Sequence, residues 1–193
     1  WKVTLEGGLR GPPAGSGILS GPAGFPLLYQ IRRLRDALEN PKVRGVLLEI
    51  DEHEGGLAEM QELRSLVRQL RARRKPVVAY LHQPSAQDLY LASLCDVVIL
   101  HPAGSVELEA PHRTTYYVKA LLDRVGVEAE MVRREAYKSR PEQFMAQTPS
   151  PETAEMNRWL LEDLFRQLAG GIAEGRGRPI TEIEAAFQLG RLT

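Results

Sequence analysis

The apolar residues of this chain change period repeatedly along its length. Trp1-Lys-Val-Thr-Leu5 opens as a short strand, and a Gly/Pro-rich stretch from Gly7 to Pro26 reads as a long loop. Leu27, Leu28, Ile31, Leu34 and Leu38 then recur at helical spacing, with Arg32, Arg33, Arg35 and Asp36 on the other face. Asn40-Pro41 ends that helix, because the residue before a proline is driven out of helical geometry. Gly45 to Ile50 is a short apolar run of the kind found in buried parallel strands.

The alternation continues. Leu57, Met60, Leu63, Leu66, Val67 and Leu70 form one stripe of a helix, followed by the basic run Arg71 to Lys75 and a stop at Pro76. Val77 to Leu81 predicts a strand, Ser85 to Leu94 a shorter helix and Asp96 to Leu100 another strand. Further on, Arg113 to Val125 reads as helix and Val127 to Arg133 as strand. Ser150-Pro151 starts a long helix to about Glu174, with Trp159, Leu160, Leu164 and Leu168 expected to face inward. Strands alternating with helices across short connections predict an α/β fold of repeated βαβ units with a mostly parallel sheet. The whole span, 1–193, reads as a single α/β domain.

Composition narrows the function classes. Apolar residues make up 43% and charged residues 26%, an ordinary globular balance. Lys plus Arg and Asp plus Glu both number 25, and a net charge of zero argues against nucleic-acid and anionic-membrane surfaces as partners. One cysteine, Cys95, excludes an internal disulfide framework and a multi-cysteine zinc site. No apolar run reaches the length of about 18 residues that a spanning helix needs. The chain opens on Trp1 without a basic-then-apolar leader, and Ala186 to Thr193 ends without a closing helix. The expectation is a piece of a longer, two-domain protein.

Candidate chemistry is sparse. Neither a dinucleotide fingerprint nor a phosphate loop is present. Gly55-Gly56, between a strand and a helix, fits two readings: backbone N–H groups that bind a carbonyl oxygen or oxyanion, or a tight turn at positive φ. His53, His82, His101 and His112 read as loop residues without helical metal-ligand spacing, so no metal site is expected. Asp51, Glu52 and Glu54 read as solvated loop charges. A Gly-x-Ser-x-Gly elbow is absent, and Ser85 reads as a helix N-cap. Lys138 lies among Arg133, Arg134 and Arg140. A lysine in such a place is ordinarily a surface charge, and it becomes a general base only where burial and neighbouring positive charge favour its neutral form.

The order of segments resembles the signal peptide peptidase A family, serine proteases of the Clp-protease/crotonase-like fold. The resemblance runs from the Val46 strand through Gly55-Gly56, Lys75-Pro-Val-Val-Ala79, Tyr90-Leu-Ala-Ser-Leu-Cys-Asp96 and Pro102-Ala-Gly-Ser-Val106. Its most specific part is Tyr117-Val-Lys-Ala-Leu-Leu-Asp-Arg-Val-Gly-Val127, then Ala136-Tyr-Lys-Ser-Arg-Pro-Glu-Gln-Phe144 and the Ser150-Pro-Glu152 helix start. That family hydrolyses peptides with a Ser/Lys dyad and needs no cofactor. Its lysine falls on Lys138 of Tyr137-Lys138-Ser139, whereas its Ser-Gly-Gly stretch falls on Ala86-Gln87-Asp88, so the nucleophile position holds no oxygen. Ser85 is adjacent, but one residue on a helix turns the side chain by roughly 100°.

Long members of the family carry two tandem copies, the first supplying the lysine and the second the serine. The resemblance therefore implies that this chain is a first copy, with Lys138 as general base, Gly55 and Gly56 as a peptide-binding surface, and a second copy of the domain as partner. It also implies peptide substrates, a homo-oligomeric assembly and an anchor in the cytoplasmic membrane with the site facing outward. A non-catalytic scaffold or peptide-binding domain of the same fold is the alternative. An acyl-CoA enzyme of this fold would need a carboxylate base for which no residue presents itself.

Overall fold

The computed structural model describes residues 1–7, 27–53, 55–131 and 138–192. Most of the Gly/Pro-rich loop, Glu54, Arg133, Arg134 and Tyr137 lie outside them. The chain divides into two compact units, Trp1–Ala110 with Leu168–Thr193, and Pro111–Gln167.

The first unit has the α/β character that the periodicity predicts. Strands β1 (Lys2–Gly7), β2 (Val46–His53), β3 (Val77–Leu81) and β4 (Val97–Leu100) form a four-stranded sheet in sequential order, all parallel. Helices α1 (Leu27–Glu39), α2 (Leu57–Ala72) and α3 (Ala86–Ala92) are the crossovers. The register aligns Leu5, Ile50 and Leu81 in one row, and Val3, Leu48 and Ala79 in the next. These rows are buried, as are Leu34 on α1 and Met60, Leu63, Val67 and Leu70 on α2. Crossovers of one hand joining strands in sequential order place their helices on one face of the sheet. Accordingly β2 alternates: Val46, Leu48 and Ile50 are buried while Leu47 is exposed, as are Val97 and Ile99 on edge strand β4. The run Gly45 to Ile50, expected to be buried throughout, is thus covered on one face within this chain.

Several residues of the family-like stretches have structural work. Lys75 places its ammonium on the carbonyls of Ala37, Leu38 and Asn40 at 2.6, 3.0 and 2.8 Å, closing the C-terminus of α1. Asp96 accepts the Val77 N–H at 2.8 Å and the Arg71 Nε at 3.0 Å, pinning the start of β3.

A long helix, α6 (Pro151–Arg176), begins in the second unit, and its residues from Leu168 onward belong to the first. There Leu168, Ala169, Ile172 and Ala173 are buried. Arg64 is the buried tie between α2, α3 and this part of α6. Its guanidinium donates to the carbonyl of Tyr90, to Ser93 Oγ at 2.8 Å and to the carbonyl of Gly171 at 2.6 Å, and it lies 4.5 Å above the Tyr90 ring. Burial lowers the Arg64 pKa, and Tyr90 and Glu174 oppose that shift. Close approach is possible because α6 presents glycine: a Cβ at Gly171 would overlap the Tyr90 ring, and one at Gly175 would lie 2.7 Å from the Ser93 carbonyl.

Four expectations are corrected. Only Lys119–Arg124 of the expected helix Arg113 to Val125 is helical (α4), since Thr114-Thr115-Tyr116-Tyr117-Val118 is β-branched and aromatic and so a poor helix former. Of the expected strand Val127 to Arg133, residues 127–131 form no strand and the last two lie outside the described residues; among the described residues no strand pairs with 127–131, and alternation without pairing leaves the backbone unladdered. Trp159 and Leu160 on α6 are 67% and 38% exposed rather than inward-facing. Near the end of the chain, α7 (Ile180–Leu189) does form a helix, and β6 (Arg191–Leu192) pairs antiparallel with β5 (Val106–Glu107).

Candidate functional site

In the first unit, the residues of interest gather at the carboxyl ends of β2, β3 and β4, where open parallel sheets bind ligands. A cleft of about 340 Å³ is lined there by Asp51, Glu52, His82, Gln83, His101, Ala103 and Gly104. The backbones of His82 and His101 prolong the ladder, donating to the carbonyls of Ile50 and Leu81 at 3.2 and 2.8 Å. Their imidazoles stack at 5.7 Å, and the Tyr80 ring meets His82 edge-on at 5.1 Å. Among the described residues no group of three or more metal-ligating side chains comes together. Asp51 and Glu52 are exposed, as expected of solvated charges, but they belong to β2 rather than to a loop.

Beside this cleft, His53 is the largest departure from the sequence reading. It ends β2 instead of occupying a loop, and its side chain is buried. Its Nε2 lies 2.6 Å from Asp88 Oδ1, and its Nδ1 accepts the Gly55 N–H at 2.9 Å. That acceptance places the ring proton on Nε2, directed at the carboxylate. Asp88 Oδ2 accepts both the Ser85 N–H and the Ser85 hydroxyl at 2.8 Å, while Ser85 Oγ receives the Asp88 N–H at 3.4 Å. This is a capping box at the start of α3. Ser, His and Asp are neighbours here, yet they form no hydrolytic triad: Asp88 stands between the other two, and neither imidazole nitrogen is open to the serine. The signal in the sequence was Ser85 followed by Asp88 three residues on; nothing local pointed to His53.

Ala86, where the sequence resemblance places the nucleophile, is 3% exposed and opens α3. Gly56 has φ −96°, so the turn needs no left-handed residue there. The Gly55 amide is engaged by His53 and the Gly56 amide by Glu59 Oε2 at 3.1 Å. A peptide carbonyl binding at these glycines would have to displace those two side chains.

Lys138 lies in the second unit and is exposed, with Ser139 after it half-buried. Ser139 starts a hydrogen-bonded turn, its carbonyl accepting the Glu142 N–H at 3.0 Å, which leads into helix α5 (Glu142–Met145). Glu142 is buried and accepts the Ser150 N–H at 3.1 Å and the Ser150 hydroxyl at 2.7 Å. Ser150 in turn caps α6, accepting the Thr153 N–H at 3.3 Å.

Among relatives, Protease 4 of Haemophilus influenzae is 31% identical over 154 residues, which are 79% of this chain and 24% of that protein. The chloroplastic serine protease SPPA of Arabidopsis thaliana is 24% identical over 154 residues, 80% of this chain and 23% of that protein. The chain thus spans about a quarter of the length of the curated relatives it matches. A solved probable enoyl-CoA hydratase from Mycobacterium thermoresistibile aligns with 84% of this chain and 74% of its own, at 15% identity and a TM-score of 0.35. Residues 69–189, well over half of the sequence, match the model of peptidase family S49. The chain belongs to peptidase family S49.

Proposed function

We propose that this chain is the base-supplying domain of a serine endopeptidase whose attacking hydroxyl comes from a second copy of the domain. The observation that carries this reading is the pairing of Lys138 in its Tyr-Lys-Ser segment with a buried Ala86 where the nucleophile would stand. Membership of a peptidase family supports the reaction class, and so do the names of the relatives, a protease and a serine protease. In the proposed reaction, neutral Lys138 takes the proton from the serine Oγ as that oxygen attacks the scissile carbonyl carbon. The ammonium then returns the proton to the leaving amine as the C–N bond breaks. Water completes the cycle by hydrolysing the acyl-enzyme, with the same amine as base. Cleaved signal peptides and other membrane-associated peptides are the proposed substrates. The proposed setting is a homo-oligomer, anchored in the cytoplasmic membrane and facing outward.

Lys138→Ala in the full-length protein tests this directly. The expected result is loss of peptide hydrolysis by roughly a hundredfold or more, the size of effect that a positioned general base contributes. Hydrolysis at the parental rate would remove the proposal. The isolated chain is expected not to react with a serine-directed fluorophosphonate, and strong labelling would refute a shared site.

A scaffold or peptide-binding role is the second reading. It is favoured by the exposure of Lys138 and by the internal engagement of the Gly55 and Gly56 amides. Under it, the Lys138→Ala protein keeps full activity.

A further inference from the structure

Glu142 is a buried acidic residue in a segment that is otherwise mostly exposed. Helix α5 is a single turn, and α4 beside it buries no residue at all. Apolar packing therefore does little to fix the backbone around residues 138–146. What fixes it is polar. Both oxygens of Glu142 are used at Ser150: Oε1 receives the hydroxyl at 2.7 Å and Oε2 the backbone N–H at 3.1 Å. The backbone then carries the constraint back toward Lys138, because the Glu142 N–H is held by the Ser139 carbonyl at 3.0 Å. On the far side, the Gln143 carbonyl accepts the Val118 N–H at 2.8 Å, and the amides of Phe144 and Met145 close on Pro141 at 3.0 and 3.1 Å. Ser150 is itself held by the first turn of α6, where its hydroxyl also lies 3.1 Å from Thr153 Oγ1.

We infer that Glu142 and Ser150 form a latch that positions Lys138 for proton transfer, with Glu142 as the principal positioning residue. Lys138 is separated from this latch by one hydrogen-bonded turn, so the placement of its Cα follows from the anchorage of Glu142 on the N-terminus of α6. A carboxylate suits that location for a second reason, since helix N-termini favour negative charge. A general base must meet its proton within hydrogen-bonding reach, and a misplacement of about 1 Å can cost roughly a hundredfold in rate. The inference rests on the reading of Lys138 as general base, and the two can fail separately.

Two measurements on the full-length protein test it. The first is amide hydrogen exchange over residues 138–146. The latch requires exchange to speed up by roughly tenfold or more in Glu142→Ala and in Ser150→Ala, and to return toward the parental rate in Ser150→Thr, which keeps the hydroxyl. Unchanged exchange in both alanine variants overturns the latch. The second is steady-state peptide hydrolysis. Both alanine variants are expected to lose about tenfold or more in kcat with KM within about twofold, with recovery in Ser150→Thr. The double variant is expected to be no worse than Glu142→Ala alone, as for two partners of one interaction.

Arg113→Ala is the control. It removes a different hydrogen bond onto α6, the 3.1 Å contact with Asn157, and is expected to leave kcat within about twofold. A loss in the control equal to that in the latch variants would mean that any weakening of this region has the same effect, and positioning falls. If Lys138→Ala is inactive while the latch variants keep parental kcat, positioning by Glu142 is wrong and the general base stands. If Lys138→Ala is fully active, the general-base reading fails and positioning with it. Should Glu142→Ala not fold, Ser150→Ala and Ser150→Thr decide by the same readouts.

Discussion

Nε2 of His53 and Oδ1 of Asp88 stand 2.6 Å apart, both side chains almost wholly buried, joining the end of β2 to the first turn of α3. The second oxygen of the same carboxylate holds Ser85, so one acidic residue ties a strand end, a helix cap and the position next to Ala86 into a single network. Its members satisfy one another, which makes it a structural device.

Ser85→Ala should therefore cost about 1 kcal/mol in unfolding free energy, the usual size of a lost N-cap. Peptide hydrolysis by the full-length protein should be unchanged. Asp88→Ala should cost more, about 2–3 kcal/mol, because it also leaves the buried His53 N–H without its acceptor. Denaturant unfolding and a hydrolysis assay measure both, and loss of activity in Ser85→Ala at intact stability would restore Ser85 as a nucleophile.

Adjacent glycines of α6 should respond in opposite directions to alanine. At Gly170 a Cβ would meet nothing within 4 Å, so Gly170→Ala should gain up to about 1 kcal/mol from helix propensity. Gly171→Ala and Gly175→Ala should each lose about 1–3 kcal/mol, through overlap with the buried Tyr90 ring and with the Ser93 backbone. Thermal melts of the three variants give the comparison; stabilisation at all three sites would mean that α3 does not pack where it is described.

Cys95 should be chemically silent in the folded chain. It is buried, and desolvation pushes its thiol up to about 12. Only roughly one thiol in ten thousand is then ionised at pH 8, and the thiolate is the reactive form. Iodoacetamide should fail to label the native protein and should label it across the denaturant transition. Rapid native labelling would contradict the burial.

The Lys2–Glu49 pair sets a small acid sensitivity. A hydrogen bond from Lys2, 2.6 Å away, lowers the Glu49 pKa below its ordinary 4.5, against the opposing effect of partial burial, and Thr4 adds a second donor. A lowered folded-state value means that the stabilisation is complete above the unfolded pKa and is lost as pH falls through the folded one. Lys2 is largely exposed, so the contribution should stay under about 1 kcal/mol. Stability of Lys2→Ala relative to the parent should converge as pH falls from 5 toward 3; a difference that widened would reverse the assignment.

What could be decided from the sequence alone rests on short-range physics. Hydrophobic period marked β1 through β4 and α1 through α3, and proline and serine placed the starts of α3 and α6, because period and caps depend on residues within a turn or two of one another. The alanine at position 86 and the lysine at 138 are likewise facts of the sequence. Tertiary structure decided the rest. His53 meets Asp88 across 35 residues of chain, and Arg64 meets the Gly171 carbonyl across 107, so neither contact has a local signature. The same holds for the exposure of Trp159. Each depends on which surface happens to lie opposite, a quantity that propensity and spacing do not contain.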